Sequence, residues 1–170
     1  KELAKKLSLM RNHGLKDRNN CEVFAYNSRL DTIQAAIANY KIKKKLDKIT
    51  KKRISNAKLL DNLLSSVKQI TLPKRKKYLK EVFHLYQINV IDRDKLMKYL
   101  INKNIDAKVH YPIPIHLQKA AKFLKHKKGD FPVAERMAKT SISLPVHEFV
   151  SKSEIMYIAK TIKKYFQNYL

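Results

Sequence analysis

Apolar residues recur at a helical period over a long stretch in the first half of the chain. They stand at positions 33 through 37, 40, 46, 49, 54, 57, 60, 64 and 67, with a few slips of phase. This spacing predicts one long amphipathic helix, which would reach roughly 55 Å if unbroken. A small domain does not bury such a length. We therefore expect the helix to bridge two domains or to lie along a subunit interface, with a kink near Lys51–Lys52.

A different pattern begins after Pro73, where three segments predict strands. Residues 81–90, EVFHLYQINV, alternate and are rich in β-branched and aromatic side chains, which is typical of a strand. IDAKVHY at 105–111 predicts a second strand, and the short SISLPV at 141–146 predicts a third. The break at Pro73 favours a domain boundary near residue 70.

Three helices are expected among and after these strands. RDKLMKYLINKN at 93–104 predicts the first, with Asn104 available for a left-handed stop. GDFPVAERMAK predicts the second, with Asp130 as cap and Pro132 in its first turn. The third opens with Ser151 and Glu154 at the spacing of a capping box. The fold class is therefore mixed α/β, with a long helix in 1–70 and a small α/β domain in 71–170.

Composition limits the class of protein. The 170 residues are 44% hydrophobic, which suits one domain, or one domain with an appended arm, and allows a buried core. A single cysteine, Cys21, excludes an internal disulfide and favours a reducing compartment such as the cytoplasm. No stretch approaches the roughly 18 apolar residues of a membrane span. The opening KELAKKLSLM lacks both an initiator methionine and a leader pattern, and predicts a chain cut from a longer one.

The formal charge of +24 raises the question of nucleic-acid binding. Only seven of the 38 basic residues are arginine, the residue that reads bases and clamps phosphates bidentately. The lysines are spread over most of the chain, as expected for solvated helix faces in a lysine-rich proteome. Nucleic-acid binding therefore stays the minor alternative.

The stretch YNSRLDTIQAA at 26–36 is the first candidate for a binding site. If Ser28 caps a helix, Asn27 lies just outside the helix start and Arg29 is its first residue. An arginine is unfavourable at this positive end of the helix dipole unless an anion lies there. A phosphate or carboxylate site is one interpretation. The other is a surface ion pair of Arg29 with Asp31 or Asp17.

The stretch HYPIPIHLQ at 110–118 is the second candidate. Its prolines make a stiff loop that presents His110, Tyr111 and His116, which can donate and accept hydrogen bonds near neutral pH. An ordinary surface turn is the alternative. RNHGL, with a helix stop at Gly14 beside His13, is a weaker signal. The other histidines are scattered, which argues against a metal site, and no nucleotide-loop or hydrolase motif is present.

Five segments in order, RNHGLKDR, YNSRLDTIQAAI, HYPIPIHLQ, GDFPVAE and SLPVHEF, cover essentially the whole chain. Together they resemble the C-terminal part of the DegT/StrS-type nucleotide-sugar aminotransferases, which depend on pyridoxal 5′-phosphate. The resemblance implies the aspartate-aminotransferase architecture, fold type I. Residues 1–70 would then be the tail of the large domain and the interface helix, and 71–170 the small domain.

The resemblance also implies a homodimer with active sites at the subunit interface. Asn27 matches an asparagine that reaches the phosphate of the cofactor held by the other subunit. Arg29, His110 and Tyr111 match positions that approach the nucleotide-sugar, and His116 is a weaker match. The implied reaction transfers an amino group, usually from glutamate, to a keto-sugar linked to a nucleotide.

The resemblance leaves one large departure. The Schiff-base lysine and the aspartate that pairs with the pyridine nitrogen are expected upstream, in a large domain missing here, so this chain alone is expected to be inactive. Asn104 stands where relatives often have glycine. A non-catalytic dimerisation or binding module of the same fold is the alternative. The sequence does not reveal which sugar or which carbon is aminated.

Overall fold

The computed structural model of the protein describes residues 1–168, which fall into two compact units. The first unit is Lys1–Leu46, and the second begins at Asp47. In the first unit, helix α1 spans Glu2–Met10 and helix α2 spans Thr32–Lys44. Neither helix contains a buried residue, so the order of this unit depends on backbone hydrogen bonds in the segment that connects the helices.

The predicted long helix is divided in two. Helix α2 ends at Lys44, and helix α3 spans Leu46–Leu64. The break lies at Lys45, whose φ of −124° and ψ of −32° depart from helical values. Helix α3 runs without interruption through Lys51–Lys52, where a kink was expected.

The second unit is built around a three-stranded antiparallel sheet. Strands β1 (Ile70–Thr71), β2 (Tyr86–Val90) and β3 (Ser141–Leu144) lie in the order β1-β2-β3. In the register between β2 and β3, Gln87 is opposite Ser143. Three further helices are α4 (Arg93–Ile101), α5 (Pro132–Thr140) and α6 (Lys152–Asn168), and two short 3-10 helices cover 115–117 and 119–124.

Alternation along β2 separates the core from the other face of the sheet. Tyr86, Ile88 and Val90 are buried in one hydrophobic core with residues of α3, α4, β3 and α6. Full burial of each such side chain contributes about 2 kcal/mol. Gln87 and Asn89 are half-buried and alternate with them. Helix α3 lies before residue 70 but shares this core with the strands that follow it. The domain boundary near residue 70 therefore stays a prediction about a longer protein.

The strands match the sequence in part. The strand at 141–144 is confirmed, whereas the predicted strand at 81–90 is only 86–90, because Phe83 has a left-handed φ of 53° that interrupts the extended backbone. Residues 105–111 do not form a strand. They make a single bridge between Lys108 and Ser143. The two-residue β1 was not predicted.

The helices follow the sequence more closely. Asn104 has the expected left-handed φ of 58°, beyond the end of α4. Pro132 is the first residue of α5, but Phe131 precedes it at the cap position, and the Asp130 carboxylate instead accepts a hydrogen bond from the Lys127 N–H. Asp130 as helix cap was therefore wrong. Within residues 1–168, no helix is both long enough and apolar enough to cross a membrane.

The capping box of α6 is confirmed. The Ser151 hydroxyl accepts from the Glu154 N–H at 3.2 Å, and the Glu154 carboxylate accepts from the Ser151 N–H at 2.7 Å. Two N–H groups that the helix cannot satisfy internally are thus paired. This fixes the start of the helix that closes the core.

Ser151→Ala tests this cap. Loss of the hydroxyl acceptor should lower the free energy of unfolding by about 1 kcal/mol. Urea unfolding followed by circular dichroism should show a lower midpoint with an unchanged slope. Lys160→Ala, at an exposed position of the same helix, is the control and should keep the wild-type midpoint. An unchanged midpoint for Ser151→Ala would contradict the assignment.

Candidate functional site

The first candidate group of residues is positioned by a tight reversal after α1. His13 and Gly14 both have left-handed backbone, with φ of 58° and 72°. The chain then returns so that residues 26–28 run antiparallel to 10–13, with Asn12 and Asn27 forming the bridge. The backbone hydrogen bonds of this pairing are Tyr26 N–H to Met10 O at 3.2 Å, Ser28 N–H to Arg11 O at 2.8 Å and His13 N–H to Tyr26 O at 3.0 Å.

Arg29 joins the two asparagine side chains. Its Nε donates to Asn27 Oδ1 at 3.2 Å, and its Nη1 donates to Asn12 Oδ1 at 3.4 Å. A guanidinium can only donate, so both amides must present their oxygens to it. Their Nδ2 groups are then directed elsewhere and make no hydrogen bond within residues 1–168.

The result is an exposed set of N–H donors with one positive charge. Across the described part of the chain, Arg29 makes no ion pair, so the expected alternative of a pair with Asp31 or Asp17 is wrong. The Asp17 carboxylate instead accepts from Asn19 and Asn20, which lowers its pKa, with the Asn20 side chain contributing most. Amide and guanidinium donors that no carboxylate of the described residues engages suit an anion such as a phosphate.

The helix start is not where the sequence placed it. Helix α2 begins at Thr32 with Asp31 in extended conformation before it, and no side chain caps it. Ser28 is therefore not the cap, and Arg29 is not the first helical residue. The extended backbone of the 26–28 pairing overrides the capping preference of Ser28. The interpretation of this region as an anion site therefore depends on the side-chain donors and not on the helix dipole.

The second candidate group lies in the second unit and centres on His110. Its ring Nδ1 is 2.9 Å from Ser143 Oγ on β3, and its backbone oxygen accepts from Gln87 Nε2 on β2 at 2.9 Å. Gln87 and Ser143 are opposite each other in the sheet register. The sheet therefore fixes both the backbone and the ring of His110. Because Nδ1 contacts Ser143, Nε2 is the ring nitrogen that can bind another group.

Tyr111 extends from the sheet beside His110. Its side chain is 75% exposed, and its ring lies edge-on to the His110 ring with centroids 5.7 Å apart. Both residues line an apolar groove of about 520 Å³, together with Leu124, Phe131 and Met137. His110 also lines a neighbouring depression of about 280 Å³. A half-buried imidazole and an exposed phenol thus stand at the edge of a largely apolar surface.

His116 lines the same groove but is engaged by a carboxylate. Its side chain is 9% exposed, its Nε2 is 3.0 Å from Glu135 Oε1, and its ring packs 4.8 Å from that of Phe131. The Gly129 N–H also donates to Glu135 Oε1 at 2.7 Å and holds the pKa of that carboxyl below its ordinary value, with a smaller contribution from His116. His116 thereby ties the loop to α5.

The structure sorts the predicted residues into these two groups. Asn27 and Arg29 lie together in the first unit, and His110, Tyr111 and His116 line one groove in the second. Asn12 was missed, although it stands beside the helix stop in RNHGL. Asn12 contacts Arg29, whereas His13 contributes only its left-handed backbone. Ser143 and Gln87 were also missed, and strand alternation was the signal that could have placed them.

Comparison with known proteins gives a consistent result. A model of the DegT/DnrJ/EryC1/StrS aminotransferase family matches residues 1–163. The Pleiotropic regulatory protein of Geobacillus stearothermophilus is 35% identical over 99% of this chain and 45% of that protein. The dTDP-3-amino-3,6-dideoxy-alpha-D-galactopyranose transaminase of Aneurinibacillus thermoaerophilus is 31% identical over 96% of this chain and 44% of that enzyme.

Solved structures agree on the fold. The crystal structure of S. venezuelae DesV superposes with a TM-score of 0.89 at 29% identity, covering 96% of this chain and 44% of that one. The mixed α/β architecture expected from the sequence is thereby confirmed as part of an aminotransferase fold. The chain spans less than half the length of the relatives it matches.

Gly14→Ala tests the reversal that brings Asn12 and Asn27 together. A Cβ on Gly14 would lie 1.7 Å from the Val23 carbonyl oxygen, so the backbone must move. We expect faster hydrogen exchange at the Tyr26 and Ser28 N–H groups, measured by NMR. Gly129→Ala is the matched control, because Gly129 also has positive φ, at 99°, but nothing within 4 Å of its Cβ position. Unchanged exchange in Gly14→Ala would contradict this account.

Glu135→Gln tests the pH dependence of the contacts that the Gly129 N–H and His116 make with the Glu135 carboxylate. The folded-state pKa of Glu135 is lowered from 4.5, so ionised Glu135 stabilises the fold above that pH, and this stability is lost as pH falls through the folded pKa. The wild type should unfold at a higher temperature than the variant at pH ~6, and this difference in melting temperature should shrink by pH ~3. A difference that stays constant between these pH values would contradict the prediction.

Proposed function

Because the chain belongs to the DegT/DnrJ/EryC1/StrS aminotransferase family, we propose that it forms the C-terminal part of a nucleotide-sugar aminotransferase that uses pyridoxal 5′-phosphate. The observation that carries the proposal is the donor set of Asn12, Asn27 and Arg29, whose free N–H groups suit a phosphate. The enzyme would transfer an amino group, with glutamate as donor, to a nucleotide-linked keto-sugar.

Asn27 would hold the phosphate of the cofactor, and Arg29 beside it would approach the nucleotide-sugar. The amide Nδ2 of Asn27 would donate to a phosphate oxygen, while Arg29, which donates from Nε to Asn27 Oδ1, fixes the amide orientation and adds positive charge nearby. When bound, pyridoxal phosphate supplies the electron sink for amino transfer. The lysine that anchors it would lie in the part of the relatives that this chain does not span.

His110 and Tyr111 would orient the nucleotide-sugar. Ser143 and Gln87 hold His110 in one place, so its Nε2 can donate to or accept from a sugar hydroxyl without first losing side-chain entropy. The exposed phenol of Tyr111 offers a second polar contact. The apolar groove beside them would exclude water from one side of the sugar.

A homodimer with sites completed in trans accounts for the exposed apolar surface of α2. This helix has no buried residue, and Ile33 is 76% exposed, with Ile37 and Tyr40 also exposed on the same helix. Apolar side chains aligned on an uncovered helix are typical of an interface. Asn27 and Arg29 precede this helix directly, so they would meet the cofactor of the partner. The single exposed Cys21 suits a reducing cytoplasm.

Asn27→Asp in the full-length protein tests the proposal. The carboxylate keeps the size of the amide but replaces its N–H donors with negative charge, so we expect pyridoxal phosphate to bind at least about tenfold more weakly. Equilibrium dialysis measures the affinity without relying on turnover. Asn19→Asp, which adds the same charge at another exposed asparagine of the first unit, should bind as wild type does.

A mixing experiment tests the contribution in trans. At limiting pyridoxal phosphate, a variant without the cofactor-anchoring lysine should be inactive and the Asn27→Asp variant strongly impaired, and mixed dimers should regain one competent site of two. Wild-type cofactor affinity in Asn27→Asp would overturn the role of Asn27. No transfer to any nucleotide-linked keto-sugar by a cofactor-loaded protein would instead favour a non-catalytic binding module.

A further inference from the structure

A second concave site lies in the second unit, away from the groove at His110. It is a cleft of about 450 Å³ formed by α3 and the segment that precedes β2. Five cationic side chains and two carboxylates line it, so it carries a net charge of three positive units. The cationic residues are Lys58, Arg75, Lys76, Lys77 and Lys80, and the carboxylates are Asp61 and Glu81. We call it the Arg75 cleft.

A partly exposed hydrogen-bond network gives this cleft a fixed frame. Arg75 donates from Nε and Nη2 to the two oxygens of Asp61 at 3.2 and 3.3 Å, and from Nη1 to Glu81 at 2.7 Å. The Tyr86 hydroxyl donates to Asp61 Oδ1 at 2.8 Å. The guanidinium also lies 4.9 Å from the centroid of the Phe83 ring. Bidentate pairing and stacking hold the segment in place.

Because of the same network, no carboxylate of the cleft neutralises the positive charges of its four lysines. Both carboxylates of the cleft are taken up by Arg75, and none of the four lysines makes an ion pair within residues 1–168. The Lys76 Nζ lies 5.7 Å from the centroid of the Tyr78 ring. Like charges around one concavity repel each other and concentrate the field there. A multivalent anion would relieve this repulsion at several lysines at once.

We propose that the Arg75 cleft binds a chain of two or three phosphate groups, as in a nucleoside triphosphate or an inorganic polyphosphate. Lysines act as mobile point charges and suit phosphate oxygens that carry several negative charges. Ile54, Leu79 and Phe83 give the cleft an apolar part that would accept a nucleoside. Five cationic side chains line this one concavity, a placement that suits a compact anion. None of the residues at Asn27 or His110 takes part.

Calorimetric titration of the full-length protein tests the proposal with tripolyphosphate, ATP and a random single-stranded oligonucleotide. Tripolyphosphate and ATP should both bind, and Lys77→Gln with Lys80→Gln should weaken them about tenfold, because two exposed charge contacts are lost. If tripolyphosphate and ATP bind with equal affinity, the ligand is the phosphate chain alone. If ATP binds more tightly, the ligand is a nucleotide.

Lys160→Gln with Lys164→Gln is the matched control. It removes two exposed lysines of α6, so the net charge falls equally but the cleft is intact. It should leave both affinities unchanged. Absence of binding, or an equal loss in the two double variants, would overturn the proposal. Binding of the oligonucleotide without binding of tripolyphosphate would overturn it in favour of a nucleic-acid surface.

Discussion

The pairing between β2 and β3 is the constraint on which the second unit depends. Its register places Ile88 opposite Ile142 in the core and Gln87 opposite Ser143, and both residues of the latter pair bind His110. A slip of one residue would exchange the two faces of a strand, moving the polar contacts inward and an apolar residue toward His110. The hydrophobic pattern that builds the core therefore also sets the geometry of the candidate site.

The first unit is organised by a different force. Its helices bury nothing, and the relation between Asn12, Asn27 and Arg29 depends on backbone hydrogen bonds and one left-handed glycine. Such contacts contribute about 1 kcal/mol each and do not replace a core. The exposed apolar side chains of α2 would be covered by the proposed homodimer partner or by the part of the relatives that this chain does not span.

The sequence predicted what local chemistry decides. The capping box of α6, the left-handed stop at Asn104 and the strand at 141–144 each depend on residues within a few positions, and all three are present. It failed at one local feature, the cap at Asp130, whose carboxylate accepts from Lys127 N–H, and it failed where distant contacts decide. The start of α2 moved because residues 26–28 pair with residues far upstream, and strand 105–111 shrank to one bridge. The family followed from the order of several short motifs, which periodicity alone does not provide. Asn12 and Ser143 needed the tertiary pairing to be found.

The central claim is that these residues complete the site of a sugar aminotransferase. The most direct measurement is to purify the full-length protein with pyridoxal phosphate, add glutamate, and follow both the visible absorbance of the cofactor and the release of 2-oxoglutarate. The account predicts that glutamate changes the absorbance and that 2-oxoglutarate appears in proportion to bound cofactor. It also predicts that a nucleotide-linked keto-sugar restores the original spectrum. A protein that binds no pyridoxal phosphate, or whose bound cofactor does not respond to any amino donor, would contradict the account.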